Sequence, residues 1–293
     1  MPLFSRPDGS PAKRVPSFTK MLPYLMKGRN ESVLYHSHNF DMTNAIALVK
    51  KLNKGLDKKK YGVFHIFLLA IGRTLAMRPR LNRFVSGRNI YQRHKIRISF
   101  VAKLELNEDS KEVNITLDID PFETLDTLVG KLDAILLKKR KLKEVSADEK
   151  EMDIITKLPR FLINFIVWLF KKLDYYNLAP KGMIDSDPLY SSIFVANLGS
   201  VGIDSPFHHL FEWGNASTFI AIGKVKKIPV VNSKGKIVPC DIVNFKFSLD
   251  DRIGEAMYFG RALELLNDFV VNPAQLLKPP VIEEKILKQL DLK

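Results

Sequence analysis

The segment "SLDDRIGEAM" gathers Asp250, Asp251, Arg252 and Glu255 where an alternating stretch gives way to a helical one. Neighbouring carboxylates disfavour one another's ionised forms, and burial adds to this. One member of such a group can thereby become basic enough to take a proton near neutrality. Imidazoles are the other candidates for proton transfer. His208 and His209 stand together in "HHLFEWG", and His36 and His38 fall on one face of a strand-like stretch, "SVLYHSHNF". His65 sits in an apolar helical run as a core histidine would, and His94 flanks the basic turn "RHKIR". His36 and His38 have no acidic or cysteine companions at metal spacing, and no metal is expected. Cys240 is the single cysteine, which excludes a disulfide within the chain and points to a reducing compartment.

The elements that must position these groups are those of a folded mixed protein. Of 293 residues, 46% are apolar and 10% aromatic, enough for one large core. The net charge of +14 favours anionic partners: a phosphorylated cofactor, a lipid headgroup or nucleic acid. Nucleic acid ranks last, because no zinc spacing, aromatic RNA-binding signature or recognition helix accompanies the charge. The opening "MPLFSRPDGSPAKRVPS" lacks the apolar core of a signal peptide, so a cytoplasmic location is expected.

Alternation predicts strands over "SVLYHSHNF", "KIRISFVAKLEL", "EVNITLDI", "LYSSIFVA", "STFIAIGKV" and "KIVPCDIVNFKFSL". Polar turns "NEDSK" and "NSKG" join two antiparallel pairs. Helices are predicted over "NAIALVKKLNK", capped by Asp41 or Thr43 and closed by Gly55, over "GVFHIFLLAIGRTLAM", over 123–143 and 148–173, and after Glu255. "FLINFIVWLF", Phe161 to Phe170, is too short to span a bilayer. It suits a core or subunit-facing helix, or one lying in a membrane interface with Trp168 as anchor. "KKRKLK", Lys138 to Lys143, fits a solvated helix end or a phosphate-binding patch. No long linker divides the chain, so one α/β domain with a mixed sheet is expected over 15–278. A flexible tail is expected over 1–14, and a tail or short helix over 279–293.

Several separated blocks, in order, resemble the catalytic domain of the dihydrolipoyl acyltransferases of 2-oxoacid dehydrogenase complexes. They are "VPSFTKMLPYLM", "DMTNAIALVKKLN", "LNRFVSGRNIYQRHKIRISFVAKLEL", "SSIFVANLGSVGIDSPF", "FIAIGKVKKIPVV" and "FSLDDRIGEAMYFGRALELLNDFVVNPAQLL". The resemblance covers roughly Val15 to Leu277. It implies a chloramphenicol acetyltransferase-like two-layer fold, a mixed sheet with flanking helices, assembled as a homotrimer. A channel between subunits would admit coenzyme A or acyl-CoA from one end and the acyl acceptor from the other. No lipoyl domain is expected before Val15.

Laid on the family pattern D-H-R-x-x-D-G-A, Asp250 and Arg252 match, Glu255 replaces the second aspartate, and Asp251 takes the histidine's place. That histidine is the family's base toward a thiol. General-base assistance is worth about 10²–10⁴ in rate, and an unaided carboxylate replaces it poorly. In the family's S-N-L-G block the serine donates to the oxyanion, but here Ala196 stands there, and losing such a donor costs about 10²–10³. Asn197, Gly199 and Ser200 complete that block. Asn197, Ser200, Ser191 or Ser192 can supply a replacement donor, or serve only turns and strand ends. "HHLFEWG" resembles the H-H-x-x-x-D-G of chloramphenicol acetyltransferase only in outline, one strand too early. Three readings follow: an acyltransferase with rewired groups, a non-catalytic acyl-CoA-binding or scaffolding relative, and a membrane-surface protein.

Overall fold

Alternation along residues 237–250 governs the architecture. Val243, Phe245, Phe247 and Leu249 enter the main core, while Asn244, Lys246, Ser248 and Asp250 take the other face, as the two-residue period of a strand requires. The computed structural model describes residues 6–103, 112–142, 155–232 and 234–293. In chain order the elements are β1 (Gly9–Pro11), α1 (Ser17–Leu25), β2 (Val33–Asp41), α2 (Thr43–Leu52), α3 (Val63–Met77), β3 (Arg83–Ser86), β4 (Asn89–Arg93), β5 (Ile96–Lys103), β6 (Glu112–Ile119) and α4 (Leu125–Leu142). There follow α5 (Arg160–Tyr175), α6 (Lys181–Ser186), β7 (Ile193–Asn197), β8 (Thr218–Ile222), β9 (Lys226–Val231), β10 (Ile237–Asp250), α7 (Ala256–Val271) and α8 (Glu284–Leu290).

The main sheet runs β2-β10-β8-β7-β5-β6, with β9 also paired to β10. β7 is parallel to both its neighbours and the other ladders are antiparallel, so the sheet is mixed. The apolar run of α3 explains its place: residues 66–76 are all buried between the sheet and α7, as a helix apolar nearly all round must be. The polar turn of α2 comes from Asp41, whose carboxylate accepts from the Thr43 N–H at 2.9 Å.

Three expectations change. Residues 6–14 do not trail as a tail: β1 pairs with β4, and β4 with β3, in a small second sheet. Arg6 is drawn inward because its buried guanidinium finds Asp8 and Asp174, each at 2.8 Å, and the Ser86 hydroxyl at 2.7 Å. The stretch 189–192 is not strand, since β7 begins at Ile193 and the Ser192 N–H bonds the Arg97 carbonyl instead. Helix α5 is not a core element of this chain. It buries Phe170, while Phe161 and Trp168 are 74% and 55% exposed. The "NEDSK" turn, residues 143–154 and Ser233 of "NSKG" lie outside the described residues, as do the side chains of Arg140, Lys141 and Leu142 in the basic run.

The β3–β4 hairpin is held against the end of α5 by a close approach. Gly87 adopts φ +52°, and a Cβ there would stand 2.2 Å from the Tyr175 carbonyl oxygen. Gly87→Ala is therefore expected to cost at least about 2 kcal/mol, read as a lowered midpoint in denaturant unfolding. Gly235→Ala is the control, for it shares a positive φ and a Cβ there would meet nothing within 4 Å among the described residues, and it should cost about half as much or less.

Candidate active site

The strand β10 ends on Asp250, which is buried with Arg252. The two side chains form a bidentate pair: Arg252 Nε donates to Asp250 Oδ1 at 2.8 Å and Nη2 to Oδ2 at 2.7 Å. Arg252 Nη1 then donates to the carbonyls of Met26 and Lys27, at 3.0 and 3.2 Å. These two residues, expected among the catalytic groups, fasten the end of α1 to the end of the sheet. The backbone N–H of Asp250 donates to Ser217 O and that of Asp251 to Ser32 O, so the turn is held on both flanks.

Asp251 and Glu255 differ from Asp250. Both are exposed, and neither side chain makes a hydrogen bond or ion pair among the described residues. They border a cleft of about 370 Å³ between β2, the turn after β10 and the start of α7. His36 borders it too, a placement that the sequence alone does not give, because it depends on β2 pairing with β10 so that His36 lies opposite Phe247. Its Nε2 is enclosed without a partner among the described residues, and its ring packs edge-on to Phe259 at 5.6 Å. Burial pushes the neighbouring His38 imidazole below its ordinary pKa, with a hydrogen bond to Asn267 opposing and His36 adding.

The second group of candidates is elsewhere. Ala196 and Asn197 end β7, and Gly199 and Ser200 form the one-turn helix that follows. Ser200 Oγ closes that turn on the Asn197 carbonyl at 2.7 Å, and Gly199 permits a close approach, since a Cβ there would meet Gly223 O at 2.5 Å. Ser191 and Ser192 are buried and bond to Ile193 O and to the Arg97 N–H, respectively. In register Ala196 lies opposite Ala221, and Ala221 opposite Lys246, five residues before Asp251. That is about 16 Å along the strands and about 10 Å across them, so Ala196 and Asp251 lie about 19 Å apart in one chain.

His208 and His209 join neither group. His208 stacks on Phe219 with centroids 4.0 Å apart, and on His209 at 4.6 Å. Phe219 alternates with the core residue Ile220, so this stack covers the face of the sheet away from α3 and α7. The His208 carbonyl accepts from the Ser248 hydroxyl, and neither imidazole lines the cleft at Asp251. Among the described residues no three His, Cys, Asp or Glu side chains are grouped to hold a metal, and no helix is long and apolar enough to cross a membrane.

The pairing pattern separates structural from chemical acids. Removing one partner of a buried pair leaves a stranded charge, at about 3–5 kcal/mol. Asp250→Ala and Arg252→Ala are each expected to cost that much in chemical denaturation, and the double variant less than their sum. Asp251→Ala should lie within about 0.5 kcal/mol of wild type.

Comparison with known proteins bears on the whole of this arrangement. The family model described as 2-oxoacid dehydrogenases acyltransferase (catalytic domain) matches residues 24–106 and 174–278, well over half of the chain. Among solved structures, the cubic core of the pyruvate dehydrogenase multienzyme complex superposes with a TM-score of 0.58 at 14% identity, covering 90% of this chain and 93% of that one. A dihydrolipoamide acetyltransferase of Azotobacter vinelandii gives 0.57 at 15% identity over 90% and 93%. Chloramphenicol acetyltransferase gives 0.51 at 11% over 86% and 94%. No curated protein sequence matches. The fold is thus that of chloramphenicol acetyltransferase and the acyltransferase cores, and the chain belongs to the 2-oxoacid dehydrogenase acyltransferase catalytic-domain family.

Proposed function

We propose that this chain is a coenzyme A thioester-binding member of its family, assembled as a homotrimer, in which residue 251 no longer performs proton transfer. One observation carries this reading: the position of the family's histidine holds an exposed aspartate with no buried partner to tune it. In the Azotobacter protein a serine, a histidine and an asparagine were studied for their roles in catalysis, the last two four residues apart. Asp251 and Glu255 have that spacing. A carboxylate open to water is a weak base toward a thiol, and Ala196 gives an oxyanion no side-chain donor.

The split between the half-sites supports a site shared between subunits, and the family resemblance makes that assembly a trimer. At about 19 Å within one chain, Asp251 and Ala196 can face one ligand only across a subunit boundary. Exposed apolar residues are available for such contacts: Phe18, Met21 and Leu25 on α1, and Tyr35 and Phe207 on the second face of the sheet. Coenzyme A phosphates would meet the lysines beside the Asn197–Ser200 turn. Lys224 there is exposed, and Lys226 is shared with Asp204.

A second reading rests on His36, the one imidazole bordering the cleft at Asp251 among the described residues. Rotation away from Phe259 would give it access to a thiol and make it the base. Cytoplasmic location remains the expectation that goes with either reading.

Sedimentation should give a trimer at micromolar concentration, and a stable monomer would remove the intersubunit site. Calorimetry should show coenzyme A binding that weakens with salt, as screened phosphate contacts do. In acetyl transfer from acetyl-CoA to dihydrolipoamide, wild type should be near background and Asp251→Asn should change nothing. Asp251→His with Ala196→Ser should gain more than the two single changes together, because such groups act as a unit. Clear wild-type activity that is lost in His36→Ala, but kept in Asp251→Asn, would establish the second reading. His208→Ala and His209→Ala should be neutral.

A further inference from the structure

Arg29 lies between α1 and β2, is only 8% exposed, and has no carboxylate partner among the described residues. Its terminal nitrogens reach backbone carbonyls alone: Nη1 donates to Phe211 and Glu212 at 3.4 Å, and Nη2 to Val85 at 3.2 Å. Its Nε is enclosed and meets no acceptor among the described residues. Burial lowers the pKa of this guanidinium, with the charge of Asp250 opposing. A buried cation so weakly satisfied is costly unless an anion joins it.

Arg29 lines a cavity of about 370 Å³ bounded by the end of α1, the β3–β4 hairpin and α5. Lys27, Arg88 and Lys171 border the same cavity. All three are exposed and none has a carboxylate partner among the described residues. Two acids also line the cavity: Asp174, which pairs with Arg6, and Glu212, whose carboxylate accepts from the N–H and side chain of Asn30 and stays charged, so that Lys27, Arg29, Arg88 and Lys171 still outnumber it. Arg252 is neutralised by Asp250, and that pair stands between this cavity and the cleft at Asp251, which have no lining residue in common. One wall is aromatic, with Phe170 and Trp213 stacked 4.9 Å apart.

We propose that this cavity binds a phosphate-bearing ligand with an apolar portion, the phosphate on Arg29 and its lysine and arginine rim, the apolar portion on Phe170 and Trp213. The surplus of unpaired cations suits a dianion, and guanidinium geometry suits phosphate oxygens. Phe170 and Lys171 come from α5, in the segment between the two stretches that match the family, whereas Arg29, Lys27, Arg88 and Trp213 lie within those stretches. Such a phosphate has two sources, a soluble phosphate ester or the headgroup of an anionic lipid. Helix α5 also exposes Phe161, Phe165 and Trp168, a face able to enter a lipid interface.

The full chain is titrated in calorimetry with inorganic phosphate and glycerol 3-phosphate, against sodium chloride at matched ionic strength. In parallel it is sedimented with vesicles of phosphatidylcholine, with and without phosphatidic acid. Saturable binding is expected in at least one arm. Arg29→Met should weaken it about tenfold or more, Arg88→Ala and Lys171→Ala about threefold each, and the distant Lys236→Ala not at all. Binding of the soluble ions assigns a free phosphate ester, and binding of phosphatidic acid vesicles alone assigns a lipid headgroup. No saturable binding in either arm would overturn the site, as would binding indifferent to Arg29→Met and to both rim variants. If Arg29→Met fails to fold, the two rim variants decide.

Discussion

The buried pair of Asp250 and Arg252 is the constraint on which the rest of the sheet end depends. Its two parallel hydrogen bonds satisfy both charges, and the spare nitrogen of Arg252 reaches the carbonyls that close α1. The strand, the first helix and the turn into α7 therefore meet at one point. Because Asp250 faces the cleft with Asp251 and Arg252 faces the cavity with Arg29, the pair is also the wall between two sites. A change in either cavity that disturbed this pair would be felt as lost stability before it was felt as altered binding.

The periodic elements of this fold were legible because alternation and apolar runs report burial directly. The faces of β10 and the wholly buried α3 follow from "IVNFKFSL" and "FLLAIGRTLA". The D-R spacing likewise located the turn after β10. The ordering of residues 6–11 was not legible. It depends on Arg6 meeting Asp174 some 168 positions away in sequence, and no local pattern encodes that partner. The same holds for His36, whose approach to Asp251 is a matter of register between β2 and β10. Arg29 carries no mark in the sequence, since burial of a single charged residue in a loop has no periodic signature.

Helix α5 shows where pattern reading meets its limit for a physical reason. "FLINFIVWLF" specifies an apolar face, and the same face can be covered by a core, a subunit or a lipid. Only the packing decides, and within this chain Phe170 alone is buried while the Phe161–Phe165–Trp168 side stays open. Lys171, next to Phe170 on this helix, borders the basic cavity.

The departures at Asp251 and Ala196 are tolerated because neither residue supports the fold. Asp251 is exposed and without a side-chain partner among the described residues, whereas its neighbours Asp250 and Arg252 are buried and paired. Ala196 faces a small apolar cluster with Phe194 and Phe219, where a methyl packs at least as well as a hydroxyl. Lying about 19 Å apart in one chain, the two positions share no contact through which a change at one would strain the other. Stability and side-chain identity at positions 251 and 196 are thus separable: Asp250 and Arg252, which hold the sheet end together, are buried and paired, and Asp251 and Ala196 carry none of that load.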